Sequence, residues 1–98
     1  MKSIPALFLS VSIVFSFSCF AGQEEFDDCL LLHLKGTKLD PAAHLIKQAC
    51  HGLYKQPGVL LEKKRLYYHC LLDNLAGVES FLAVNDINGV CRRKYKSV

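Results

Sequence analysis

The chain omits most of the signatures that announce an enzyme. No C-x-x-C pair occurs among its five cysteines, so the dithiol chemistry of thioredoxin-like oxidoreductases has no starting point. No glycine-rich loop is placed to cradle a phosphate, and Gly36 and Gly77 are explained by turns. Carboxylates crowd together only at Glu24, Glu25, Asp27 and Asp28, a solvated run rather than a general acid–base pair. No apolar stretch is long and clean enough for a comfortable membrane span of about 20 residues. Strong net charge is missing too, since the formal charge is only +3. These omissions leave no catalytic residue and no cofactor to assign. They point to a protein that is not an enzyme.

What is present begins with a leader. Met1 and Lys2 give a short positive start, and Ile4 to Phe17 is apolar apart from its serines and Pro5. Cys19-Phe20-Ala21 then offers small residues at −3 and −1 ahead of Gly22, and the polar Gln23-Glu24-Glu25 follows. This is the layout of a cleaved secretory signal over residues 1–21. Two other fates stay open: a retained N-terminal anchor, and lipidation of Cys19, because Ser16-Phe17-Ser18-Cys19 loosely resembles a bacterial lipobox.

Cleavage would leave 77 residues, 22–98, as a single helical domain with four cysteines, Cys29, Cys50, Cys70 and Cys91. An even count in a short exported chain predicts a disulfide framework, as expected where a hydrophobic core alone is marginal. Each bridge closing a loop of about 20 residues contributes roughly 3 kcal/mol in the chain-entropy picture.

Sliding the chain against itself by 41 residues needs no gap and aligns Cys29 with Cys70, Leu30 with Leu71, Leu31 with Leu72, Leu34 with Leu75 and Gly36 with Gly77. Beyond the turn, Ala42 meets Ala83, Ile46 meets Ile87, Cys50 meets Cys91, Tyr54 meets Tyr95 and Lys55 meets Lys96. The matches fall on cysteines, apolar residues and a glycine, the types that set a fold, so the chain carries an internal duplication. Repeat one spans about 26–55 and repeat two about 67–96.

Within repeat one, Phe26, Cys29, Leu30 and Leu34 share one helical face, and Gly36 follows where a left-handed backbone ends a helix. Asp40-Pro41 reads as an N-cap followed by proline at the first helical position. Ala42, Leu45, Ile46, Ala49, Cys50 and Leu53 then make an unbroken amphipathic stripe that Gln56-Pro57-Gly58 must end. Repeat two follows the same plan with Tyr67, Cys70, Leu71, Leu75, Gly77 and Ser80 as N-cap, then Ala83, Val84, Ile87, Val90 and Cys91. Its last helix is weakened by Asn85, Asn88 and Gly89, each a poor helix former. The fold class is therefore all-α: two repeated disulfide-stapled helical hairpins forming a small four-helix domain. Heights above the turns favour Cys29–Cys50 with Cys70–Cys91. The pairing Cys50–Cys70 with Cys29–Cys91 stays open, since Cys50 and Cys70 are almost as well spaced.

The pattern C-L-L-x-x-L-x-G, a short turn, then A-x-x-x-I-x-x-x-C resembles the uncharacterised small exported four-cysteine proteins of Gram-negative bacteria. It covers Cys29–Tyr54 and, less cleanly, Cys70–Tyr95. The resemblance implies a periplasmic location and brings no activity with it.

Three readings of function follow. The first is an exported protein that binds a periplasmic or extracellular protein partner. The second is a cationic protein of the membrane surface or of lipid. It uses Leu60, Leu61, Lys63, Lys64 and Arg65 of "GVLLEKKRLYY" together with Arg92, Arg93 and Lys94 of the basic tail. For Leu60 and Leu61 the ordinary explanation is that they close the core between the hairpins. The third is a metal-handling protein built on His51 and His69, which flank Cys50 and Cys70. Adjacent residues on a helix point about 100° apart, which argues against that cluster as a ligand set. His33 and His44 align with Asn74 and Asn85, as polar surface positions do. No metal is expected. An exported chain has no nucleic acid to meet, so the basic tail points to an acidic protein or an anionic lipid. Tyr54, Tyr67, Tyr68 and Tyr95 are amphipathic residues suited either to an interface or to packing at the hairpin ends.

Overall fold

A computed structural model describes residues 18–56 and 58–96. Most of the expected signal, residues 1–17, therefore lies outside the described residues. Those described form four helices and no strand: α1 (Ser18–His33), α2 (Asp40–Tyr54), α3 (Glu62–Leu75) and α4 (Phe81–Lys94). Each turn inside a hairpin uses its glycine in the left-handed region, Gly36 at φ 79° and Gly77 at φ 81°. The Thr37 N–H donates to the Leu34 carbonyl at 2.9 Å, and Val78 donates to Leu75 at 3.2 Å. Both partners are related by the 41-residue offset, so the duplication extends to backbone hydrogen bonding.

The disulfides are Cys29–Cys50 and Cys70–Cys91, each with a Cα–Cα distance of 5.8 Å, one within each hairpin. They join α1 to α2 and α3 to α4. Helices α2 and α3 pack side by side in the middle, α1 lies on α2, and α4 lies on α3 with a shorter contact to α2. One buried cluster draws on both hairpins, with Ile46, Leu71, Leu75 and Val84 its largest fully buried side chains beside the cysteines. The inner and outer positions are unequal even where the residues are the same. Leu72 on inner α3 is 4% exposed, whereas its repeat mate Leu31 on outer α1 is 75% exposed.

Three elements differ from the sequence expectation. Asp40 is not the cap of α2. Leu39 occupies that position, no side chain caps the helix, and Asp40 sits in the first turn, where its charge complements the dipole. Ser80 does cap α4, its Oγ accepting from the Ala83 N–H at 3.2 Å. Residues 62–66, which precede the expected start of repeat two at about 67, are helical as well. Helix α3 starts at Glu62, where Glu, Lys and Arg are good helix formers, and the Arg65 guanidinium closes back on Glu62. Helix α4 runs unbroken through Asn85, Asn88 and Gly89. One reason is visible: the Tyr67 hydroxyl donates to Asn88 Oδ1 at 2.7 Å, so a poor helix former is held from α3.

The two turns lie together at one end. Lys38 and Glu79, themselves related by the 41-residue offset, form an ion pair at 3.2 Å between them. The 55–61 connection, the start of α3 and the end of α4 lie at the opposite end. There α1 approaches the finish of α2 so closely that a Cβ on Gly22 would stand 2.7 Å from the Tyr54 carbonyl oxygen. Lys55 Nζ donates to Gln23 Oε1 across the same junction at 2.7 Å.

Candidate partner-binding cleft

Antiparallel pairing of α3 and α4 sets the first turn of α3 beside the last turn of α4. Each carries cations for local reasons. Lys63, Lys64 and Arg65 are strong helix formers on an exposed turn, and Arg92, Arg93 and Lys94 complement the carbonyl end of α4. Between them opens a cleft of about 620 Å³, within the size range of ligand sites. Its cations are Lys64, Arg92, Arg93 and Lys96. Tyr67, Tyr68 and Tyr95 complete the wall, together with Gln48 of α2.

The tyrosines are fixed from below. A Cβ placed on Gly52 would come within 2.3 Å of the Tyr68 ring, so this ring lies directly on the bare backbone of α2. The Tyr67 hydroxyl is held by Asn88, and the two rings stand 5.5 Å apart at a tilt of 49°. Lys64 Nζ sits 5.8 Å from the Tyr67 ring centroid and 5.6 Å from that of Tyr68, a cation–π arrangement that aims its charge along the wall. Among the described residues no carboxylate lines the cleft. Among the described residues Lys64, Arg92, Arg93 and Lys96 take part in no ion pair. Four cations gathered this closely repel one another.

Arg65 differs from these four. It donates from Nε and Nη2 to Glu62, and this hydrogen bond is the main reason the Glu62 carboxyl is held below the ordinary carboxylate range and the guanidinium above its own. The pair is fully exposed, so it orders the first turn of α3 more than it stabilises the fold.

The opposite flank carries the reverse charge. A shallower cleft of about 230 Å³ is lined by Glu25, Asp28, Leu32 and His33 of α1, with Cys29 and Tyr54. The molecule is thus polarised, acidic along α1 and basic where α3 meets α4.

Of the residues singled out by sequence, Lys64, Arg92 and Arg93 meet in the main cleft. Lys63 and Arg65 are exposed on α3 outside it, and Lys94 stacks over Tyr95 at 5.7 Å. Leu60 is half-buried and Leu61 exposed, and neither belongs to the buried core, so closing the core is not their role. Gln48 and Lys96 were not anticipated as lining. A signal for the convergence was available, because a Cys70–Cys91 bridge sets a register in which residues just before Cys70 face those just after Cys91.

The histidines are dispersed. His51 is exposed with its ring edge-on to Phe26, centroids 6.1 Å apart, and His69 is half-buried on α3. No group of three His, Cys, Asp or Glu able to hold a metal ion occurs among the described residues. Cys29, Cys50, Cys70 and Cys91 are all consumed as disulfides and offer neither thiolate nor ligand.

Four cysteines in two equal intervals, each interval bridged on itself, match a known family over residues 6–95. The chain belongs to the four-cysteine protein VF_A0006-like family. Comparisons with curated proteins and with solved structures gave no match. The two bridges of this four-cysteine protein place it in an oxidising, non-cytoplasmic environment.

Proposed function

We propose that this four-cysteine protein is a small exported binding protein without enzymatic activity, which engages an acidic region of a protein partner in the periplasm or outside the cell. The observation that carries the reading is the gathering of Lys64, Arg92, Arg93 and Lys96 with three tyrosines around one cleft, where no carboxylate stands among the described residues. Tyrosine and arginine are the residue types that dominate protein interfaces. Unpaired cations on a rigid helical frame give both steering and register to an acidic partner. Arginine suits the role because its planar fork binds carboxylates through two hydrogen bonds.

Export rests on the leader and on the disulfides. In this reading a signal over residues 1–21 is cut before Gly22. Since α1 begins at Ser18, the cut before Gly22 would remove its first four residues. Gly22 then has two tasks: it follows the small-x-small site, and it lets α1 approach Tyr54.

The test is capture from the native compartment on immobilised oxidised protein, at low and high salt, with wild type and Arg92→Gln/Arg93→Gln in parallel. Both arginines are exposed and outside the core, so the variant folds. The reading expects a protein retained by wild type, released as salt rises, and weakened about tenfold or more by the double substitution. Equal capture by wild type and variant would remove the cleft from the account.

A further inference from the structure

The most exposed apolar side chains among the described residues fall at three places, and their charged surroundings differ. Leu31 and Leu32 lie on α1, where Leu32 shares a cleft with Glu25 and Asp28. Phe81 and Leu82 open α4 at the end where the hairpin turns meet, among Asp40, Lys38 and Glu79, a mixed field with Lys38 already paired. The third place is the connection between the hairpins. Val59 is 93% exposed and Leu61 65% exposed, so two side chains that could have closed the core face outward instead. Their neighbours are basic. Lys63 and Lys64 stand on the first turn of α3, Lys55 ends α2, and the Arg92–Lys96 stretch finishes α4 at the same end.

We propose that this end is a docking surface for an anionic lipid bilayer, with Val59 and Leu61 entering the interface while the surrounding cations meet the headgroup phosphates. The division of labour is the one that lets a small soluble domain hold a membrane: modest apolar insertion together with a cluster of lysines and arginines near an anionic surface. Placement in the fold supports it further. Both apolar side chains sit on irregular backbone just ahead of α3, next to Gly58 at φ 87°, and both are open to whatever meets this end. The carboxylates nearby do not reverse the balance. Glu62 is bound to Arg65, and Glu24, Glu25, Asp27 and Asp28 at the start of α1 are outnumbered by Lys55, Lys63, Lys64 and the four cations of residues 92–96. The surface shares Lys64, Arg92, Arg93 and Lys96 with the cleft, whereas Val59 and Leu61 take no part in it and mark the lipid reading alone.

The experiment is co-sedimentation of the oxidised protein, purified from its own compartment, with large unilamellar vesicles. One set is made of equal parts phosphatidylglycerol and phosphatidylcholine, the other of phosphatidylcholine alone. The surface proposed here binds the anionic vesicles, binds the zwitterionic ones weakly, and loses affinity as salt is raised. Val59→Ser/Leu61→Ser lowers partitioning to anionic vesicles about tenfold or more. Lys63→Gln/Lys64→Gln lowers it by a similar factor. All four side chains lie outside the buried core, and circular dichroism verifies folding of each variant. No sedimentation with anionic vesicles, equal sedimentation with both sets, or an unchanged Val59→Ser/Leu61→Ser variant would each overturn the proposal. Val59→Ser/Leu61→Ser leaves capture of an acidic protein intact, so failure of the lipid surface is distinguishable from failure of the cleft.

Discussion

At Gly52 the inner helices are closer than a methyl group permits, and the Tyr68 ring takes the space. Two opposed effects meet there. Alanine in the middle of a helix is favoured over glycine by about 1 kcal/mol, while forcing a methyl into a filled site costs about 1–3 kcal/mol. The ring cannot absorb the new Cβ without leaving α2, so overpacking wins, and Gly52→Ala is expected to lower the thermal midpoint. In a Tyr68→Ala background the clash is gone and the same substitution raises the midpoint. Thermal unfolding of the four proteins of this cycle checks the change of sign. A shared sign in both backgrounds would mean that the ring does not rest on Gly52. The position also shows how the repeat diverged. The mate of Gly52 is Arg93, which no helix covers and which lines the cleft.

Among the helices, the starts of α2 and α4 make a controlled comparison, since both follow equivalent turns. Ser80 accepts a hydrogen bond from the Ala83 N–H, whereas Asp40 makes no capping bond and acts only through its charge in the first turn. Ser80→Ala should therefore cost about 1 kcal/mol. Asp40→Ala should cost no more than about 0.5 kcal/mol, and less as salt rises. Denaturant titration of the two variants at low and high salt measures both. Equal losses would contradict the assignment of caps. The difference was hidden in the sequence because Asp40-Pro41 has the composition of a cap and first turn shifted by one residue. Helix α4 was under-read for a related reason. Propensity counts Asn85, Asn88 and Gly89 against the helix, and the support supplied by Tyr67 comes from 21 residues away.

For the whole molecule, the duplication made the hairpins, their turns and the chosen cysteine pairing legible, because matched cysteines, leucines and glycines demand matched local structure. It could not say which helices lie inside. Leu31 and Leu72 are identical letters with opposite burial. The clue lay in the mismatches: Leu45 and Leu53 of α2 become Asp86 and Lys94 in α4, so one helix is covered on two sides and the other on one. The cleft was half legible, its arginines and tyrosines visible as composition but their meeting fixed only by the register of the hairpin. Consecutive pairing of the cysteines has a further consequence for the order of assembly. A chain delivered N-terminus first into an oxidising compartment can join Cys29 to Cys50 before Cys70 has emerged, and Cys70 then waits only for Cys91. No mispaired intermediate then has to be undone, so the prediction is that maturation needs no disulfide isomerase. Acid quenching and thiol trapping during translocation should find the Cys29–Cys50 species first, and yield should be unchanged in cells that lack isomerase activity. An early Cys50–Cys70 species would show that the hairpins do not close in turn.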